Sequence, residues 1–150
     1  KLRTAAGLYE RIVKLLGDSP ATLGSNKNAL AAASKLAQYD EELERWPAAV
    51  ERLSRLVAAQ PKDRRLLRRA GTASFQAGRW PESLEYWRML LSGLESGSDE
   101  WLEAKYFQLA CLEKTDRGAA QKVFEQFRVL YPEVKSAKWR EKFAEMGNRL

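Results

Sequence analysis

The chain has 150 residues, of which 45% are hydrophobic and 31% are charged, and its net charge is +6. This composition is typical of one ordinary folded domain and excludes a chain that is disordered by composition, while no apolar run reaches the ~18 residues that a membrane-spanning helix needs. Because the chain contains no histidine and one cysteine, a Ser-His-Asp triad, a Cys-His dyad, the usual zinc site and an internal disulfide are excluded.

The first predicted element is an amphipathic helix at residues 2–16, followed by a loop to residue 29. Glu10, Arg11 and Lys14 interrupt its apolar run, which excludes the hydrophobic region of a signal peptide. A cytoplasmic location is slightly favoured, and the compartment is otherwise open. The chain does not begin with Met, as expected of a piece of a larger protein. Apolar residues recur in the helix at helical spacing: Leu8, Ile12, Leu15 and Leu16.

Periodicity is helical along the whole chain, and the turn signals between the periodic segments predict about eight short helices. Pro47 and Pro81 suit the first turn of a helix, where the missing N–H has no helical partner. Gly78 suits the left-handed position that ends a helix. Asp63 and Asp99 are predicted to cap the helices that follow them.

The tripeptide Arg-Trp-Pro occurs at 45–47 and again at 79–81, a spacing of 34 residues. Residues 31–61 and 65–95 then agree in residue type at the positions that follow each tripeptide. A third copy has the same order of residue types, namely one small residue, two large apolar residues and a proline. Its members are Ala120, Phe124, Phe127 and Pro132. A fixed period near 34 residues is the sequence sign of stacked helical hairpins.

The chain resembles the tetratricopeptide repeat (TPR) family, including its divergent bacterial repeats. The segment from Ala70 to Leu91 carries the family motif, with Ser83 and Leu90 at two positions where the motif has alanine. The matching residues are Ala70, Gly71, Gly78, Trp80, Ser83 and Trp87. The resemblance implies an all-α, right-handed superhelical array of antiparallel helix hairpins forming a single domain over 1–150. Its parts would be an N-terminal degenerate helix and loop (1–29), repeats at 30–61, 64–97 and 101–132, and a capping helix at 135–150.

Several apolar residues are predicted to serve packing rather than binding. Helix-spaced aromatic residues are mostly structural; here they are Trp46, Trp80, Trp87 and Phe124. Cys111 lies in an apolar stripe beside Phe107 and is expected to be a buried, inert thiol.

The resemblance also implies a non-catalytic interaction module that binds a peptide or partner helix in a concave groove. By the usual repeat geometry, Arg65, Arg68, Thr72 and Gln76 would face that groove, with Arg69 at its edge. Residues 62–69 contain five cations and one carboxylate. Positive charge is unfavourable near a helix N-terminus, and so are pairs of like charges at i, i+4. We therefore predict an acidic, C-terminal or phosphorylated protein segment as partner, and no cofactor or metal.

Three alternatives remain open from the sequence. Glu41, Glu42 and Glu44 could pair with the arginines in a surface network between repeats. The sequence pI of about 9.5 and the basic segment 135–142 would suit a nucleic-acid backbone, although acids interrupt that segment. Finally, the chain could be a structural spacer within a larger protein.

Overall fold

The computed structural model describes all 150 residues and contains only helices as regular secondary structure. The all-α prediction is therefore confirmed, with nine helices instead of about eight. No helix has the length and apolar character needed to cross a bilayer. The helices are α1 (Leu2–Leu16), α2 (Pro20–Ser25), α3 (Lys27–Glu42), α4 (Trp46–Ala59), α5 (Arg64–Gln76), α6 (Trp80–Gly93), α7 (Asp99–Thr115), α8 (Arg117–Leu130) and α9 (Ala137–Arg149).

The chain divides into two compact units, an N-terminal unit at Lys1–Arg79 and a C-terminal unit at Trp80–Leu150. The N-terminal unit holds α1 to α5, and the C-terminal unit holds α6 to α9. The predicted repeat at 64–97 therefore contributes α5 to one unit and α6 to the other. The organisation as a single domain of three repeats stays a prediction.

The additional helix is α2, which the sequence analysis assigned to a loop. Ser19 caps it, since its hydroxyl accepts a hydrogen bond from the Thr22 amide at 3.2 Å, and Pro20 occupies the first turn. Leu23 is its one buried residue. A single apolar anchor in six residues produces no periodicity, so the pattern could not indicate a helix there.

Helix boundaries agree with most of the predicted local signals. The Asp63 carboxylate caps α5 by accepting from the amides of Arg65 at 3.0 Å and Leu66 at 3.2 Å. The prediction for Asp99 is wrong, because Ser98 caps α7 through the Trp101 amide and Asp99 is the first helical residue. A carboxylate at this position still interacts favourably with the helix dipole.

The 34-residue period is visible in two turns of the N-terminal unit. The Arg45 amide donates to the Asp40 carbonyl at 2.8 Å, and the Arg79 amide donates to the Ser74 carbonyl at 2.9 Å. The residue before each arginine has a positive φ, 56° at Glu44 and 73° at Gly78. The two turns thus have the same hydrogen bond although only one contains the glycine that this backbone favours.

The N-terminal unit is built on contacts of α3 with α1 and α4, and of α4 with α5. Its core includes Leu36, Leu53 and Leu56, each completely buried. One carboxylate lies in this core: Asp40 is 1% exposed and accepts from Arg52 Nε at 2.8 Å. A buried charge is tolerated only with such a partner.

In the C-terminal unit, α7 packs against α6, α8 and α9. Trp87 is buried and stacks on Phe107, with ring centroids 4.8 Å apart. Its indole N–H donates to the Ser83 hydroxyl at 3.1 Å. Packing roles are thus confirmed for Trp87 and for the buried Phe124, whereas Trp46 and Trp80 are only half-buried.

Candidate partner-binding site

The predicted site residues lie on one helix, α5, whose opposite side packs in the core of the N-terminal unit. The buried residues of α5 include Leu66, Leu67, Ala70 and Ala73. Their burial fixes the rotation of the helix, so residues 65, 68, 72 and 76 fall on its other side. The Asp63 cap supplies a carboxylate at the N-terminus, which partly offsets the unfavourable position of the nearby arginines.

Arg69 is committed to contacts inside the chain. Its Nε donates to Glu41 Oε1 at 2.9 Å, and a terminal nitrogen donates to the same oxygen at 2.6 Å. The guanidinium also donates to the Ser34 carbonyl at 3.3 Å. Because its charge is neutralised by Glu41, Arg69 ties α5 to α3. The alternative of pairing between repeats therefore holds for Arg69 and Glu41, whereas Glu42 accepts from Gln38.

Arg65 differs from Arg69 in its exposure and in its ion pairing. Its side chain is exposed, and its guanidinium has no carboxylate partner within the chain. Arg68 and Gln76 are also exposed, and Thr72 is half-buried. These four residues form one face, which we call the α5 face. It presents guanidinium, hydroxyl and amide groups to solvent.

A cavity of about 210 Å³ adjoins the α5 face near the start of the helix. Its apolar walls come from Leu30, Leu56 and Leu66, and Arg65 and Arg69 lie among its polar lining. This volume is below the ~300 Å³ at which small-molecule sites begin. The cavity therefore has room for about one side chain, and Asp63 lies in its polar lining together with the two arginines.

A larger cavity, of about 550 Å³, lies in the C-terminal unit between α8, residues 131–135 and α9. Phe124, Phe127 and Phe143 line it, and Arg128 and Arg140 stand at its edge. Both cations are engaged, since Arg128 pairs with Glu125 at 3.1 Å and Arg140 donates to the Val134 and Lys135 carbonyls. The sequence analysis missed this cavity because the same aromatic spacing predicts core packing.

The structure disfavours a reactive thiol at Cys111 and holds no cluster of metal-ligating side chains. Cys111 is buried, and burial raises the pKa of its thiol, while a hydrogen bond with Ser83 acts in the opposite direction. A raised pKa means less thiolate, and the thiolate is the reactive form. No group of three or more metal-ligating side chains is present.

Comparison with known proteins adds a family and a fold. The bacterial transcriptional activator domain (BTAD) family matches residues 24–100, just over half of the chain. No curated protein sequence is significantly similar. A crystal structure of nearly identical TPR-like repeats, assigned to a kinesin light chain of Podosopora anserina, superposes with a TM-score of 0.65 at 20% identity. The match covers 91% of this chain and 70% of that one. The predicted likeness to TPR-type repeats is confirmed.

Proposed function

Because the chain belongs to the bacterial transcriptional activator domain family, we propose that it is a protein-interaction module of such an activator that binds an acidic peptide segment on the α5 face. TPR-like helical repeats act as scaffolds for protein interaction and are generally non-catalytic. The observation that best supports this proposal is the exposed Arg65 guanidinium, which forms no ion pair with a carboxylate of this chain and stands beside a small cavity lined by both leucine and polar side chains.

Helix stability does not account for this guanidinium. A cation in the first turn opposes the helix dipole by roughly 0.3 to 1 kcal/mol, and Arg65 lies one residue after the start of α5. The Asp63 cap offsets this cost only in part, and Arg65 forms no ion pair of the kind that Arg69, in the second turn, forms with Glu41. An unfavourable charge that the fold does not use is best explained by a ligand that does use it.

The chemistry of the α5 face defines the ligand class. A guanidinium binds a carboxylate or phosphate through two parallel hydrogen bonds. The cavity next to Arg65 takes one apolar side chain, lined by Leu30, Leu56 and Leu66. The preferred ligand is therefore an extended segment in which an Asp, a Glu or a chain-terminal carboxylate adjoins a Leu, Ile or Phe.

Selection of peptides from a random display library on the wild-type protein tests this proposal. We expect enrichment of an acid next to an apolar residue, and weakening of the selected peptides by about tenfold or more in Arg65→Ala. Lys62→Ala is the matched control, since Lys62 is also exposed and basic but precedes α5. Peptides without acidic enrichment, or equal binding to Arg65→Ala, would overturn the proposal.

The same variants separate this function from nucleic-acid binding. Random-sequence duplex DNA should bind weakly, and any binding should fall steeply between low and high salt, because phosphate contacts release counterions. If duplex DNA binds more tightly than the selected peptides and loses affinity in Arg65→Ala, the α5 face is a nucleic-acid surface and the peptide proposal is wrong.

A further inference from the structure

A second surface lies on α1, away from the α5 face and outside residues 24–100. With ~100° between successive residues, the apolar residues of α1 span an arc of about 180°, whereas a helix that packs on one neighbour needs ~100°. The members of the arc, in order around the helix, are Leu15, Leu8, Ile12, Ala5, Leu16, Tyr9, Leu2, Val13 and Ala6. The fold therefore has more apolar surface on α1 than one packing face requires.

Only one edge of the arc is covered. Ala6 and Val13 are buried, and Tyr9 contacts Tyr39 of α3 with ring centroids 5.7 Å apart. At the other edge Leu8 is 53% exposed and Leu15 is 86% exposed. With the half-buried Ile12, these residues form a stripe at i, i+4 and i+7, about 10 Å long. We call it the α1 stripe.

On the exposed side of α1, Arg11 borders the α1 stripe, and Lys14 and Arg3 follow it further around the helix. Arg3, Arg11 and Lys14 are exposed and form no ion pair within the chain. Glu10, the one acid of α1, is half-buried and lies 3.7 Å from Arg45 Nη1. The exposed side of α1 thus combines an apolar stripe with a row of unneutralised cations and no free carboxylate.

We propose that the α1 stripe is a docking surface for an amphipathic helix of another protein, whose apolar face is flanked by aspartate or glutamate. Spacing at i, i+4 and i+7 is the pattern by which one helix packs along another. The row of cations requires acids on the adjoining side of the partner, and this complementarity sets its orientation.

Two other occupants fit less well. A second copy that docked by its own α1 would bring Arg11 and Lys14 against the same cations, and like charges in contact are unfavourable. A helix lying in a membrane interface buries a broad apolar face, whereas the exposed apolar part of α1 is a narrow stripe, because Ala6 and Val13 are buried and Tyr9 packs on Tyr39. A partner helix can instead contact the α1 stripe with its apolar residues and the cations of α1 with its acids.

The probe is a synthetic helical peptide of about three heptads with Leu at positions a and d and Glu at e and g, with a twin carrying Lys in place of Glu. We expect the acidic peptide to bind the wild-type protein in a fluorescence anisotropy titration and the basic twin not to bind. Leu8→Ser/Leu15→Ser and Arg11→Glu/Lys14→Glu should each weaken binding by about tenfold or more. Since the replaced side chains are exposed, the fold should be retained.

Matched controls locate the effect. Leu130→Ser removes a leucine that is 72% exposed on α8, and Lys122→Glu reverses an exposed cation on the same helix; both should leave binding unchanged. Arg65→Glu should also leave it unchanged, which separates this proposal from binding at the α5 face.

The proposal would be overturned if the α1 variants bound the acidic peptide as tightly as the wild-type protein does, or if the basic twin bound as tightly as the acidic peptide. Binding to phosphatidylglycerol vesicles without peptide binding, or self-association abolished by Leu8→Ser/Leu15→Ser, would assign α1 to a membrane or to a second copy instead.

Discussion

The buried carboxylate of Asp40 permits a quantitative test of what holds the N-terminal unit together. Replacing Arg52 by Met keeps most of the side-chain volume but removes the guanidinium 2.8 Å from Asp40. Breaking a buried pair costs about 3 to 5 kcal/mol, because the remaining charge is left uncompensated. Arg45 stays at 3.9 Å from Asp40, and the Arg52 side chain is 22% exposed. We therefore expect the lower end, about 3 kcal/mol.

Urea unfolding followed by circular dichroism measures this loss, and hydrogen exchange of α3 and α4 amides locates it in the N-terminal unit. The control is Arg55→Met, which removes an equally short contact to Asp18 at 2.8 Å between more exposed groups and should cost less than about 1 kcal/mol. Asp40→Asn/Arg52→Met should regain about half of the loss, because no bare charge then remains buried. A loss below about 1 kcal/mol in Arg52→Met would refute the reasoning, since Asp40 would then not depend on Arg52.

Three further predictions concern stability, and two of them pair a substitution with a control. Ser83→Ala should destabilise the protein by about 1 to 2 kcal/mol in thermal unfolding, because the Trp87 indole N–H loses its buried acceptor; a neutral result would contradict that role. Glu44→Gly should stabilise by about 1 kcal/mol, as it relieves a non-glycine φ of 56°, while Ala58→Gly within α4 should destabilise by a similar amount. Gly7→Ala, which meets no atom within 4 Å, should be stabilising by up to about 1 kcal/mol, the helix-propensity gain of alanine over glycine. Gly147→Ala should stabilise less than Gly7→Ala or destabilise, because its added methyl would lie 3.0 Å from Phe124 Cζ and the ring must shift; an equal gain at both positions would contradict that contact.

The sequence predicted the fold well where the signals were local and repeated. The paired Arg-Trp-Pro segments located the starts of α4 and α6, and Asp63 and Gly78 marked the boundaries of α5 and the turn after it. The same approach failed at α2, where one buried leucine carries the packing. It also failed at Asp99, because two adjacent residues could each have served as the cap.

Helical spacing predicts which residues share the α5 face, but the sequence does not predict their partners. Arg65 and Arg69 look alike in sequence, yet only Arg69 is within reach of Glu41, and that depends on how α5 lies against α3. The serine at position 83 is a similar case. Its departure from the repeat motif is explained by a hydrogen bond to Trp87, which only the packing of that indole shows.

Asp40 belongs to a group of charged side chains that is larger than its ion pair with Arg52. Arg52 lies between Asp40 and Asp18, and Arg45 lies between Asp40 and Glu10. Carboxylates and guanidinium groups thus alternate from α1 through α3 to α4. In an evolving lineage, the loss of Arg52 would leave the buried Asp40 with an unbalanced charge, so substitutions at positions 40 and 52 should be inherited together, whereas the more exposed Glu10 and Asp18 can change singly.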